Sequence, residues 1–156
     1  MLTVRPATPE DIATICAVDP LAQHDPERAA FIARSVEAGQ CHLMLATAPV
    51  GYAILDYSFF GQGFVALLYV HPAYRRHGAG SQLMHYLTTV CRTPKLFTST
   101  NLSNLAMQAL LAAQGFQLSG VIHNLDENDP ELVYVKFIQP VMPGETGTFS
   151  WKPTLE

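Results

Sequence analysis

Apolar and polar positions change period several times along the chain, and the changes mark out elements. Leu2–Arg5 alternates as a short strand. Thr8-Pro9-Glu10-Asp11 starts a helix: Thr8 caps, Pro9 fits the first helical position and two acids suit the dipole. Ile12, Ile15, Cys16 and Val18 carry the helical period, which Pro20 is expected to end. Asp25-Pro26-Glu27 starts a second helix with Ala29, Phe31, Ile32 and Val36 inward, stopping at Gly39. His42–Thr47 and Val50–Tyr57 read as strands joined at Ala48-Pro49. Gly61-Gln62-Gly63 breaks the chain before a strongly apolar strand, Phe64–Val70.

The period then becomes helical at Leu83, Met84, Tyr86, Leu87 and Val90, running to about Cys91. Lys95–Thr100 is another strand, Asn101–Asn104 a loop and cap, and Leu105–Gln114 a helix ended by Gly115. Phe116–His123 and Leu132–Ile138 form a last strand pair around the polar loop 124–130. Residues 139–156 hold Pro140, Pro143, Gly144, Gly147 and Pro153 and read as a tail of little regular structure. Phe149 and Trp151 predict that this tail docks on the domain or on a neighbouring subunit. Residues 1–138 make a single α/β (α+β) domain, a central mixed sheet with helices on both faces.

The join between Phe64–Val70 and the next helix carries the most distinctive chemistry. Val70-His71-Pro72 ends the strand, and Arg75-Arg76-His77-Gly78-Ala79-Gly80-Ser81 opens the helix. The first N–H groups of a helix lack internal partners, and the dipole there favours an anion. Glycines let the backbone approach a ligand, and arginines add charge. The pattern predicts a phosphate or pyrophosphate site. Neither Gly-x-x-x-x-Gly-Lys-Ser/Thr nor Gly-x-Gly-x-x-Gly is present, which weakens a nucleotide-binding alternative.

Composition narrows the partners. Of 156 residues, 49 % are hydrophobic and 14 % charged, as in a globular chain, and the net charge is −4. That argues against a nucleic-acid or anionic-membrane binder, so the two arginines are a local feature. No apolar run approaches the ~18 residues of a membrane span, and no signal-peptide core is seen. Cys16, Cys41 and Cys91 show neither metal spacing nor a disulfide framework. A cytoplasmic setting without a metal is expected.

The element order, with Arg75-Arg76-His77-Gly78-Ala79-Gly80 after the fourth strand, resembles the GNAT superfamily of acyl-CoA-dependent N-acetyltransferases. Their signature is Gln/Arg-x-x-Gly-x-Gly/Ala. Val70-His71-Pro72, Asn104-Leu105-Ala106, Gly115-Phe116 and the opening Val4–Asp11 are similar too. The resemblance implies a mostly antiparallel sheet of about seven strands. It also implies acetyl-CoA as cosubstrate and an amine as acceptor. The pyrophosphate would sit on the N–H groups of His77, Gly78, Ala79, Gly80 and Ser81, beside Arg75 and Arg76. The pantetheine arm would run along Leu68, Tyr69 and Val70, touching Asn101 and Asn104. The backbone N–H of Val70 would stabilise the oxyanion.

Two family features are missing. Phe64–Val70 holds no glutamate base, and Leu111 stands where a tyrosine acid is common. Tyr134 and His123 are the substitute candidates for acid and base, with Asp56 a third. A sensor that binds acyl-CoA with little turnover is the alternative. Asp126, Glu127, Asp129 and Glu131 would attract a cationic amine, or simply solvate a loop. Phe59, Phe60, Phe64 and Trp151 belong to the core, an apolar acceptor site or a homodimer contact.

Overall fold

The structure, a computed structural model, describes residues 1–138. The expected docking of Phe149 and Trp151 lies outside the described residues. Seven strands form one sheet: β1 (Thr3–Pro6), β2 (Cys41–Leu45), β3 (Pro49–Phe59), β4 (Gln62–Val70), β5 (Lys95–Asn101), β6 (Gln117–Ile122) and β7 (Glu131–Phe137). Their order is β1-β2-β3-β4-β5-β7-β6. Every neighbouring pair is antiparallel except β4 with β5. The helices are α1 (Ile12–Val18), α2 (Pro20–His24), α3 (Pro26–Glu37), α4 (Ala79–Val90) and α5 (Leu105–Ala113). Among the described residues, no helix is long and apolar enough to cross a membrane.

Alternation along the strands gives each sheet face its own core. Tyr52, Ile54 and Tyr69 join Ile15, Ile32 and Val36 on the side of α1 to α3. Ala53, Leu55, Val65 and Val70 join Leu83, Met84, Leu87 and Leu111 on the side of α4 and α5. Leu111, standing where a tyrosine acid is common, is fully buried and serves core packing.

One short helix was not expected. α1 stops at Val18, ahead of Pro20 as expected, but Pro20 also begins α2. Asp19 is extended (φ −100°, ψ 105°), and its Oδ1 accepts the Leu21 N–H at 3.0 Å. This repeats the way Asp25-Pro26 starts α3. Proline lacks only an N–H that the first turn leaves unused. Asp19 is fully buried, and its Oδ2 also takes hydrogen bonds from Tyr52 Oη (2.5 Å) and Arg28 Nε (2.7 Å). Burial would raise its pKa, but these bonds outweigh it and hold the carboxyl below the usual range. Burial, and donation to Asp19, push the Tyr52 hydroxyl far up.

His42 is 7 % exposed, and its Nδ1 has no hydrogen-bond partner among the described residues. Its ring meets Tyr86 of α4 edge-on, with centroids 5.2 Å apart. Burial lowers its pKa, so the fold prefers the neutral ring. The associated stability is intact above the ordinary histidine value of ~6.5 and is lost as pH falls through the lower folded value. Urea midpoints should therefore fall between pH 7 and pH 5 in the wild type and fall less in His42→Phe. Equal slopes in the two proteins would refute this assignment.

Candidate active site

The site begins where the pairing of β4 and β5 stops. Their register runs Gly63 with Leu96, Phe64 with Phe97 and Val65 with Thr98, and no further. Thr98 Oγ1 donates to Val65 O at 3.0 Å at that last step. On the other side of β4 the register shifts: Ile54 faces Leu67 while Leu55 faces Val65, leaving Ala66 extra. Such a bulge bends and twists its strand. Beyond it, Leu67–Val70 pair with β3 alone, and the two parallel strands splay.

Backbone direction in the splay follows from alternation. The His71 N–H donates to Val50 O of β3 at 2.8 Å. Successive residues present their polar groups to opposite sides of a strand, so the N–H groups of Val70 and Leu68 point away from β3, toward the gap. Here the expected oxyanion donor and the expected partner of an amide-bearing arm lie side by side.

The gap opens on the turn before α4. Arg76 and Gly78 both have positive φ (64° and 81°), and His77 between them does not. Alternating handedness of this kind turns successive N–H groups into one concavity. Gly78 is the N-cap of α4 and supplies no capping side chain. By contrast, α2, α3 and α5 are capped by Asp19, Asp25 and Asn104. The first protein-bonded amide of α4 is that of Gln82, to Gly78 O at 2.9 Å. The amides of Ala79, Gly80 and Ser81 are thus left for a ligand. Gly80 also lets two helices meet, since a Cβ there would lie 2.8 Å from Leu110 Cδ1 of α5.

These parts line one cleft of about 580 Å³. Leu68, Tyr69 and Val70 form its floor, Arg75, Arg76, Gly78, Gly80 and Ser81 one wall, and Asn104, Ala106, Met107 and Leu110 the other. It contains two arginines and no carboxylate, a local excess of positive charge in an acidic chain. Arg75 Nε donates to Val70 O at 2.7 Å, and its guanidinium lies 5.6 Å from the Tyr69 ring centroid.

Other expected residues are placed differently. The Ala79 side chain is packed in the core, leaving only its backbone to serve. Asn104 lines the cleft and also caps α5, accepting the Met107 N–H at 3.1 Å. Asn101 donates to Asp126 Oδ2 (2.7 Å) and Asp129 O (3.3 Å), tying down the acidic loop instead of lining the cleft. Asp129 in turn accepts from the Ser103 N–H and hydroxyl, so both aspartates have local partners. His123 lines a separate polar hollow of about 540 Å³ with residues 124–130. Tyr134 is half-buried on the face of α4 and α5, opposite Thr98. Neither Tyr134 nor His123 is a cleft-lining residue. Asp56 accepts from the Ser58 N–H and hydroxyl. Phe59 stacks on Phe64 and meets Phe97 at a tilt, at the hairpin end of β4 away from Val70. The α5 wall, Met107 and Leu110, was not singled out from sequence; its only signal was helical spacing from Asn104 and Ala106.

Residues 8–116 match the acetyltransferase (GNAT) family. The chain belongs to that family. It is an acyltransferase. Among solved structures, it is similar to a GNAT-family acetyltransferase from Bacillus cereus ATCC 10987, at 34 % identity and a TM-score of 0.83, covering 88 % of this chain and 97 % of that one. The ribosomal-protein-S18-alanine N-acetyltransferase from Escherichia coli shares the fold at 18 % identity and a TM-score of 0.75, covering 94 % and 98 %. So does a putative acetyltransferase from Salmonella typhimurium solved with its cofactor acetyl-CoA, at 19 % identity and 0.70, covering 90 % and 96 %. No curated protein sequence matches the chain.

Proposed function

We propose that this GNAT acyltransferase moves the acetyl group of acetyl-CoA onto an amine of a small molecule or peptide, by direct attack in a ternary complex. The observation that carries the reading is the splay of β4 from β5, continuous with a cationic turn whose first amides lack partners among the described residues. The pyrophosphate rests on the backbone of His77–Ser81, with Arg75 and Arg76 against its charge. The pantetheine amides pair with Leu68 and Val70, between the floor and the α5 wall at Asn104, Met107 and Leu110. The solved acetyl-CoA complex on the same fold supports this use of the cleft.

The reaction forms a nitrogen–carbon bond and breaks a carbon–sulfur bond. The carbonyl oxygen gains charge as the amine attacks, and the Val70 N–H stabilises it. An alkylamine with pKa ~10.4 must first lose a proton at neutral pH. No carboxylate or histidine lines the cleft, so water carries that proton to solvent. The coenzyme A thiol, with pKa ~8.5, leaves as thiolate without the missing acid, at a rate lower by the ~10²–10⁴ that acid–base help supplies. Tyr134 and His123 support the fold and the acidic loop in this reading.

The test is thiol release from acetyl-CoA with a panel of amines, alongside coenzyme A affinity. Wild type should bind coenzyme A and release thiol with at least one amine. Arg76→Gly keeps the positive φ and removes the guanidinium, so affinity should fall roughly 10- to 100-fold, the range of one charged hydrogen bond. Binding without thiol release for any amine points to the sensing role, which Leu111 and the carboxylate-free β4 favour. No thermal shift with coenzyme A would sink both readings.

A further inference from the structure

Half of one sheet face lies outside both cores. On the side of α1 to α3, the helical core takes in Ala66, Leu67 and Tyr69 of β4 and, among the described residues, nothing from β5 or β7. A sheet face turned to water is normally polar at alternate positions. This one is apolar. Leu96 and Tyr134 pack on the side of α4 and α5, so alternation turns Phe97, Val133, Val135 and Phe137 to the other side. Val133 and Val135 are only 7 % and 5 % exposed, yet they belong to neither core. These valines call for a cover that the described helices do not supply.

The same side chains are continuous with the aromatic cluster at the hairpin of β3 and β4. Phe64, Phe97 and Val135 stand in one row across β4, β5 and β7. Two residues along, Lys95 pairs with Phe137, and its ammonium lies 5.9 Å from that ring centroid. Phe59 stacks on Phe64 at 5.1 Å, lies 5.0 Å from Phe97 and meets Phe60 edge-on at 5.0 Å. The chain leaves β7 at the border of this surface. Directly after Phe137, the Ile138 N–H donates to Pro94 O at 2.8 Å.

We propose that residues 139–156 fold back over this surface, with Phe149 and Trp151 seated against Phe59, Phe64, Phe97 and Phe137 and covering the two valines. Three features select the chain's own tail as the occupant. The first is reach: Phe149 follows Ile138 by about 35 Å of extended chain, whereas crossing from β7 to β4 takes about 10 Å. The second is spacing. Phe149 and Trp151 are two apart, so an extended backbone presents both rings on one side. The third is the tether, since a segment that starts at the patch competes for it at an effective concentration of about millimolar. The coenzyme A cleft shares no lining residue with the patch and stays open.

Trp151 is the single tryptophan, so its fluorescence reads the docking in the full chain. In wild type its emission should lie to the blue of the urea-unfolded chain and resist acrylamide quenching. Phe137→Asp, at a ring 55 % exposed, should move the emission to the red and raise quenching toward the unfolded value. Its thermal shift on adding coenzyme A should be unchanged. Leu118→Asp, on the opposite face of the sheet, should keep the wild-type emission. If Phe137→Asp unfolds, Phe60→Asn takes its place, because asparagine is at home at the positive φ of that position (53°). A wild-type tryptophan quenched as fully as in urea overturns the proposal. Protection that survives the patch variant shows that the tail docks elsewhere and overturns it too. Protection lost on dilution, with a fall in mass by light scattering, assigns the tail to a neighbouring subunit and also counts against folding back.

Discussion

Gly80→Glu should abolish coenzyme A binding while leaving the fold intact. The added carboxylate would stand in the first turn of α4, among N–H groups that have no partner among the described residues. A glutamate there takes the place of the anion the turn is built to hold, and it repels a pyrophosphate. The expected loss of affinity is at least roughly a hundredfold, about 2.8 kcal/mol. Stability should move little. An acid in the first helical turn contributes about 0.3–1 kcal/mol, and replacing a helical glycine gains a similar amount. The new Cβ lies 2.8 Å from Leu110 Cδ1, a terminal methyl that must shift, and this offsets part of the gain. Gly80→Ala separates bulk from charge: it carries the same Cβ and should keep most of the affinity. Titration calorimetry and melting curves read the two effects independently. Unchanged affinity in Gly80→Glu would show that the pyrophosphate lies elsewhere, even if the protein is an active acetyltransferase.

Asp19→Ala should be the most damaging single change to stability, lowering it by about 3–5 kcal/mol. The buried carboxylate satisfies three donors at once: the Leu21 N–H, the Arg28 guanidinium and the Tyr52 hydroxyl. Alanine leaves a buried hydroxyl and a partly buried cation without their partner and removes the cap of α2. At roughly 2–4 °C per kcal/mol for a chain of this size, the melting temperature should drop by about 10 °C. Tyr52→Phe removes one donor only and should cost about 1–2 kcal/mol. There is also a pH signature. The carboxyl is held below its ordinary value, so its stabilisation is present above ~3.9 and disappears as pH falls through the folded pKa. The acid limb of the stability curve should accordingly flatten in Asp19→Ala. A melting temperature within about 2 °C of wild type would mean that this network contributes little.

Most of the framework was legible along the chain because it depends on near neighbours. Alternating and apolar runs bounded by turn residues produced all seven strands, with no end shifted by more than two residues. The join at Arg75–Ser81 announced an anion site because its glycines, arginines and helix start are consecutive. Family membership followed from the same block. Asp19-Pro20 shows the limit. As letters, the pair reads equally well as a helix stop or a cap with proline in the first turn. In the fold it is both: α1 stops at Val18, and Arg28 and Tyr52, distant in sequence, bind the carboxylate that caps α2.

The catalytic candidates show the same division. Tyr134 and His123 qualified as acid and base by residue type, and Asn101 as a contact of the pantetheine arm through the family resemblance. Hydrogen bonds and strand facing then placed Tyr134 in packing, His123 in a separate hollow and Asn101 on the acidic loop. Asn104 could be read as cap or ligand contact, and the fold lets it cap α5 while lining the cleft. Local order in the chain was thus sufficient for the elements, the family and the cationic turn, since helix starts, glycine turns and alternation act over a few residues. The splay of β4 from β5, the direction of the Val70 N–H and the α5 wall arise from the extra residue at Ala66, the Thr98–Val65 bond and the approach of Gly80 to Leu110. Each of these joins segments far apart in the chain, and only the folded chain brings them into contact.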